Sequence, residues 1–134
     1  MKIQARLLIA EDDPDDQYFF QEAIKVVCPR DVETYFVLDG AQLMKLLREN
    51  LQQRQMPNLI VLDLNMRVKN GRTTLQEIKS DPVFADIPVV VLSTSSHAED
   101  IEYCKHYGAA YYRKPDSITE LVEIVRTLYW EYLN

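Results

Sequence analysis

The chain has 134 residues, 47% hydrophobic and 27% charged, the balance of one globular domain large enough to bury its own core. Its 15 Lys and Arg stand against 21 Asp and Glu, a net charge of −6, which argues against nucleic acid or an anionic membrane surface as partner, since both require clustered cations. No apolar run approaches the ~20 residues of a spanning helix and no secretory segment is evident, so the expected location is cytoplasmic, with Cys28 and Cys104 as reduced thiols.

Short apolar runs alternate with helical patterns along the chain. Ile3–Ala10 predicts a strand that ends in Glu11, Asp12 and Asp13. Asp13 before Pro14 reads as an N-cap, and the helix it opens is expected to bury Phe19, Phe20, Ala23, Ile24 and Val27. Val32–Val37 alternates, as an edge strand does. A helix from Gly40 to Gln53 carries Leu43, Met44, Leu46, Leu47 and Leu51 as its apolar set. Leu59–Leu62 is apolar without alternation, as in a central strand covered on both faces, and it ends in Asp63.

A third helix follows Gly71, buries Leu75 and Ile78, and stops at Ser80-Asp81-Pro82. Ile87–Leu92 predicts another central strand, closed by Ser93 and Thr94. The helix over Ala98–Tyr107 is expected to turn Ile101 and Cys104 inward. Ala109–Arg113 predicts the fifth strand, closed by Lys114 and Pro115. Ser117 and Glu120 form a capping box for a last helix, in which Ile118, Leu121, Val122, Val125, Leu128, Tyr129 and Tyr132 share one face.

With no internal repeat or linker, residues 1–134 read as a single domain without an output domain. Alternating strands and helices imply parallel strands joined by right-handed crossovers. Five strands favour a doubly wound α/β sheet of order 2-1-3-4-5, flavodoxin-like, with five flanking helices. In such sheets ligands bind beyond the carboxyl ends of the strands.

Those ends carry Glu11, Asp12, Asp63, Ser93 and Lys114. Singly, each has an ordinary explanation: solvated loop acids, a capping serine, a turn lysine. Asp13 is best explained as the helix cap alone. Jointly, carboxylates crowded on one rim repel one another, and a hard divalent cation such as Mg²⁺ offsets that charge. Asp63, at the end of a central strand, is the natural phosphoryl acceptor, with Lys114 neutralising the transferred group and Ser93 hydrogen-bonding one of its oxygens.

These residues resemble the receiver domain of bacterial two-component response regulators. The resemblance rests on Leu7-Leu8-Ile9-Ala10-Glu11-Asp12-Asp13, Val61-Leu62-Asp63-Leu64-Asn65-Met66, Gly71 eight residues after Asp63, Pro88 through Ser93, and Lys114-Pro115. It implies that a histidine kinase phosphorylates Asp63. It further implies that Asp12, Asp63 and the backbone carbonyl of Asn65 bind Mg²⁺ (or Mn²⁺), with Glu11 acting through water. Ser93 and Tyr111 are the implied switch pair, and Asn65 and Ser95 the positions that tune dephosphorylation. More narrowly, the acid-acid-Pro start and the long segment from Asn50 to Pro57 resemble stand-alone receivers paired with bacterial phytochrome kinases.

The sequence departs from the family at several points. Arg67 stands where a proline is usual, and Ser93 replaces the commoner threonine. Thr94 is an alternative switch hydroxyl, and Tyr112 an alternative switch aromatic. A signal is expected to leave through the face of the fourth helix, fifth strand and fifth helix, to a downstream protein or a second copy. Ile124, Trp130 and Leu133, with Tyr103 and Tyr107, are expected to populate that face. The expected activity is phosphoacceptance without turnover of an external substrate. Asn65 stands where an aspartate phosphatase needs a second acid, and no glycine-rich nucleotide loop is present. The alternatives are a phosphorylation-independent adaptor and an intermediate in a multistep phosphorelay.

Overall fold

The computed structural model describes residues 4–134, so the expected strand start at Ile3 lies outside them. Its elements are β1 (Arg6–Ala10), α1 (Pro14–Val27), β2 (Glu33–Val37), α2 (Gly40–Gln52), β3 (Leu59–Leu62), α3 (Gly71–Ser80), β4 (Val89–Ser93), α4 (Ala98–His106), β5 (Ala110–Arg113) and α5 (Ile118–Leu128). A π-helical turn, Tyr129–Leu133, prolongs α5. All strand pairs are parallel, in the order β2-β1-β3-β4-β5. The expected flavodoxin-like sheet is therefore present, with the alternating Val32–Val37 segment forming its β2 edge.

Continuous apolar runs in β1, β3 and β4 can be buried only between two helical layers, and both layers are there. Leu8, Ile60, Leu62 and Val91 pack towards α2, α3 and α4, against Leu43, Leu75 and Cys104. Leu7, Ile9, Val61 and Leu92 pack towards α1 and α5, against Phe20, Leu121 and Val125. Each fully buried leucine contributes roughly 1.5–3 kcal/mol relative to an exposed one. Helix starts are fixed by side-chain caps: Asp13 for α1, Asp39 for α2, Asn70 for α3 and Ser117 for α5.

Several apolar expectations need correction. Phe19 is 47% exposed, because it covers a cavity between α1 and the start of α5 rather than filling the core. Leu51 and Ile118, near a helix terminus, are also exposed. Ile101 is 39% exposed, since α4 turns Cys104 and the carboxylate Asp100 inward instead. Leu133 is only 6% exposed: the π turn inserts an extra residue, and the rotation brings Leu133 into the core while Trp130 stays 63% exposed. Cys28 and Cys104 are both free thiols, and burial pushes Cys104 up to about 11.

At the amino ends of the strands, a buried guanidinium ties three elements together. Arg6 donates to Asn50 Oδ1 at 2.7 Å, Glu33 Oε2 at 2.8 Å and Gln55 Oε1 at 3.0 Å. Its carbon also lies 5.0 Å from the centre of the Tyr35 ring, within cation–π range. The long connector between α2 and β3 is thereby anchored to β1 and β2.

Candidate functional site

Register alone brings the acids together. Ala10 of β1 pairs with Leu62 of β3, so Glu11 and Asp63 leave the sheet side by side, and the Asp63 N–H donates to the Ala10 carbonyl at 3.2 Å. Among the described residues, Glu11, Asp12 and Asp63 form a group whose carboxylate oxygens lie within 4.8 Å of one another. Glu11 and Asp63 are buried; Asp12 is half-buried. Asp13 stands apart: its side chain accepts from the Asp15 and Asp16 N–H groups at 2.8 and 3.2 Å and is occupied as the α1 cap.

Lys114 reaches this cluster from the end of β5, where its N–H donates to the Ser93 carbonyl at 2.8 Å. Its Nζ lies 2.6 Å from Glu11, 2.8 Å from Asp16 and 3.1 Å from Asp63. One ammonium thus faces more carboxylates than it can neutralise. Burial, reinforced by the Asp63 charge and opposed by Lys114, pushes the Glu11 carboxyl up to about 7. Burial alone would depress Lys114, but its bonds to Asp16 and Glu11 and the charge of Asp63 prevail and raise it.

Asp16 was not among the expected site residues. It sits in the first turn of α1, three residues past the cap, and only the docking of α1 near β5 reveals that it meets Lys114. Beside these charges lies a cavity of about 410 Å³, walled on its apolar side by Phe19, Phe20, Leu92, Ile118 and Leu121.

The loop after β3 is fastened at several points. The Asn65 N–H donates to Asp63 Oδ1 at 3.1 Å, and the Arg67 N–H to Asp12 Oδ2 at 3.1 Å. Val68, 90% exposed, has a φ of 61°, a left-handed conformation that a β-branched residue resists. The Gly71 N–H donates to the Leu64 carbonyl at 3.0 Å. A Cβ on Gly71 would lie 2.0 Å from the Asp63 carbonyl oxygen and 2.6 Å from Leu64 Cα. Only glycine allows α3 to begin so close to the backbone of Asp63.

Ser93 ends β4 fully buried, and Thr94 is exposed. The Ser93 hydroxyl accepts from the Ser95 N–H at 3.3 Å. Tyr111 packs on the α2–α3–α4 side, and its hydroxyl donates to the Ser95 carbonyl. Tyr112 packs on the opposite side, against the α1–α5 core. Of the two tyrosines, Tyr111 therefore meets the loop after Ser93.

Residues 7–126 match the family model described as the response regulator receiver domain. The chain belongs to that family. Response regulator Rcp1 of Synechocystis sp. (strain ATCC 27184 / PCC 6803 / Kazusa) is 36% identical over 124 residues, covering 90% of this chain and 83% of Rcp1. The structure of the phosphorylated cyanobacterial phytochrome response regulator RcpA is also similar. It gives a TM-score of 0.87 at 35% identity, covering 96% of this chain and 94% of RcpA. The Mn²⁺-bound form of Rcp1 gives 0.83 at 33% identity, covering 93% and 91%.

Two-component signalling is thus the setting of this receiver domain. Rcp1 has been solved with a divalent ion. In this chain the all-oxygen donor set of Glu11, Asp12 and Asp63 fits a hard divalent cation by its chemistry.

Proposed function

We propose that this receiver accepts a phosphoryl group on Asp63 from a histidine kinase in an Mg²⁺-dependent reaction, and signals through the surface change that follows. The observation that carries this reading is the meeting of Asp63 with Glu11, Asp12 and Lys114 at the tips of three strands. An Asp63 carboxylate oxygen attacks phosphorus, and the P–N bond to the kinase imidazole breaks with its electron pair left on nitrogen. Asp12, Asp63 and the Asn65 carbonyl would hold the metal, with Glu11 acting through water. Bound there, Mg²⁺ offsets the clustered carboxylates and the charge of the entering group. Lys114 balances a phosphoryl oxygen, and Ser93 supplies a hydroxyl to another. The protein contributes position and charge rather than covalent chemistry beyond Asp63.

Incubation with acetyl phosphate and Mg²⁺ should add one phosphoryl group by intact mass, and Asp63→Asn should abolish the addition. Undiminished labelling of that variant refutes the assignment.

A phytochrome-type kinase is the proposed donor, supported by the likeness to RcpA, a phytochrome response regulator spanned to 94% by this chain. The face of α4, β5 and α5 is the proposed exit, where Ile101 and Trp130 are exposed and Leu133 is not. Light scattering with and without acetyl phosphate tests whether a second copy binds there. Among the described residues, no helix is long and apolar enough to cross a membrane, and a cytoplasmic site of action is proposed.

A further inference from the structure

Ser95 is bonded through every polar atom it has. Its N–H donates to Ser93 Oγ at 3.3 Å, and its carbonyl accepts from the Tyr111 hydroxyl. Its own hydroxyl donates to Asp100 Oδ2 at 2.5 Å and accepts from the His97 N–H at 3.3 Å. Asp100 is a buried carboxylate in the first turn of α4. Its other oxygen, Oδ1, is gripped by Arg72 of α3, with Nε at 2.8 Å and a second guanidinium nitrogen at 2.7 Å. Arg72 follows Gly71, the residue packed against the Asp63 backbone, and the Arg72 carbonyl accepts from the Tyr103 hydroxyl of α4 at 2.7 Å. A continuous chain of polar contacts therefore runs from α3 through Asp100 and Ser95 to Ser93 and Tyr111.

We propose that Asp100, clamped by Arg72, is a positioning residue that latches Ser95 and thereby holds Ser93 and Tyr111 in the arrangement of the unmodified chain. The inference rests on the phosphoacceptor reading for its consequence but not for its geometry. A Ser93 hydroxyl that moves to a phosphoryl oxygen gives up the Ser95 N–H. The cost of that move includes whatever holds Ser95 in place. Charge-assisted bonds to a carboxylate are about twice as strong as neutral ones, so the Ser95–Asp100–Arg72 segment dominates that cost. A latch that binds only the unmodified arrangement opposes the modified one by its own free energy.

Two readouts test the latch. Asp100→Ala and Ser95→Ala should each label with acetyl phosphate and Mg²⁺ about tenfold faster than the parent chain, a factor that corresponds to about 1.4 kcal/mol. The double variant should be no faster than either single one, whereas unrelated structural damage would add. If the parent chain labels, parent-like rates in both folded single variants overturn the proposal. Amide exchange in the unmodified proteins requires no phosphoryl chemistry. Asp100→Ala should speed exchange at the Ser95 N–H and leave that of Ile9 in β1 unchanged. Unaltered exchange at Ser95 overturns the latch even if Asp63 accepts phosphate. Faster exchange in a chain that never labels upholds the latch and instead refutes the phosphoacceptor reading.

Discussion

The backbone N–H of Arg67 donates to Oδ2 of Asp12 at 3.1 Å, a bond that the proline usual at this position in the family has no hydrogen to make. The departure seen in the sequence thus becomes a contact to a proposed metal ligand. Outer-shell partners that orient a ligand are worth ten- to a hundredfold in metal affinity, roughly. Arg67→Pro should therefore weaken Mg²⁺ binding about tenfold by titration calorimetry. Equal affinity in the two proteins would show that the bond orients nothing.

Adjacent acids should behave differently. Asp12→Ala removes a carboxylate from the cluster and should weaken Mg²⁺ binding by about a hundredfold or more, whereas Asp13→Ala should leave it within about threefold. Asp13→Ala should instead cost about 1 kcal/mol of stability, because it uncaps α1. Calorimetry and urea unfolding on both variants separate the two roles, and the reverse ranking rejects the cluster as drawn.

Gly71→Ala places a methyl group where the Asp63 carbonyl oxygen is 2.0 Å away. Backbone on both sides must shift, at a cost of roughly 1–3 kcal/mol. Because the displaced atoms belong to Asp63, labelling by acetyl phosphate should slow about tenfold or more in the folded variant. Parent-like stability and labelling together would contradict the close approach.

Val68→Gly should act in the opposite direction. It removes a β-branched side chain from a φ of 61°, and because that side chain stands in solvent, its removal opens no void. Stability should rise by about 0.5–1 kcal/mol, a few degrees in Tm for a domain of this size. Calorimetric scanning that shows a lower Tm would mean the loop is not strained at this residue.

Asp100 supplies a pH dependence with a defined sign. The Ser95 hydroxyl first, and then the Arg72 guanidinium, hold its carboxyl below the ordinary value of 3.8. The folded chain thus releases a proton that the unfolded chain keeps. The resulting stability is complete above the ordinary value and disappears as pH falls through the folded one. Arg72→Ala should cost roughly 1–2 kcal/mol at pH 7, allowing for the partial exposure of the guanidinium. Its stability should converge with that of the parent chain as pH falls below the ordinary value of 3.8 and Asp100 is protonated in both. A gap that stays constant over that range argues against the ion pair as its source.

Much of this was legible in the residues because it depends on short-range pattern. Leu59–Leu62 and Val89–Leu92 declare central strands by unbroken apolarity, and strand ends then locate Glu11, Asp12, Asp63, Ser93 and Lys114. What stayed hidden depends on how elements dock. Asp16 joins Lys114 across 98 positions, and no local spacing reports that. Phe19 has the periodicity of a core residue but covers a cavity. Leu133 was misplaced because a 3.6-residue period was extended through a turn that does not keep it. Which side of the sheet Tyr111 and Tyr112 each pack on is likewise visible only from the faces of β5.

The guanidinium of Arg6 has a consequence for the family's insertions and deletions. Glu33 answers its charge, but its two neutral acceptors, Asn50 and Gln55, flank the end of α2 and belong to the stretch leading to Leu59. A shortened segment would leave buried guanidinium N–H groups without acceptors beside that single ion pair. Relatives that trim this stretch are therefore expected to have replaced the arginine as well, and loop size and residue type at position 6 should covary through evolution.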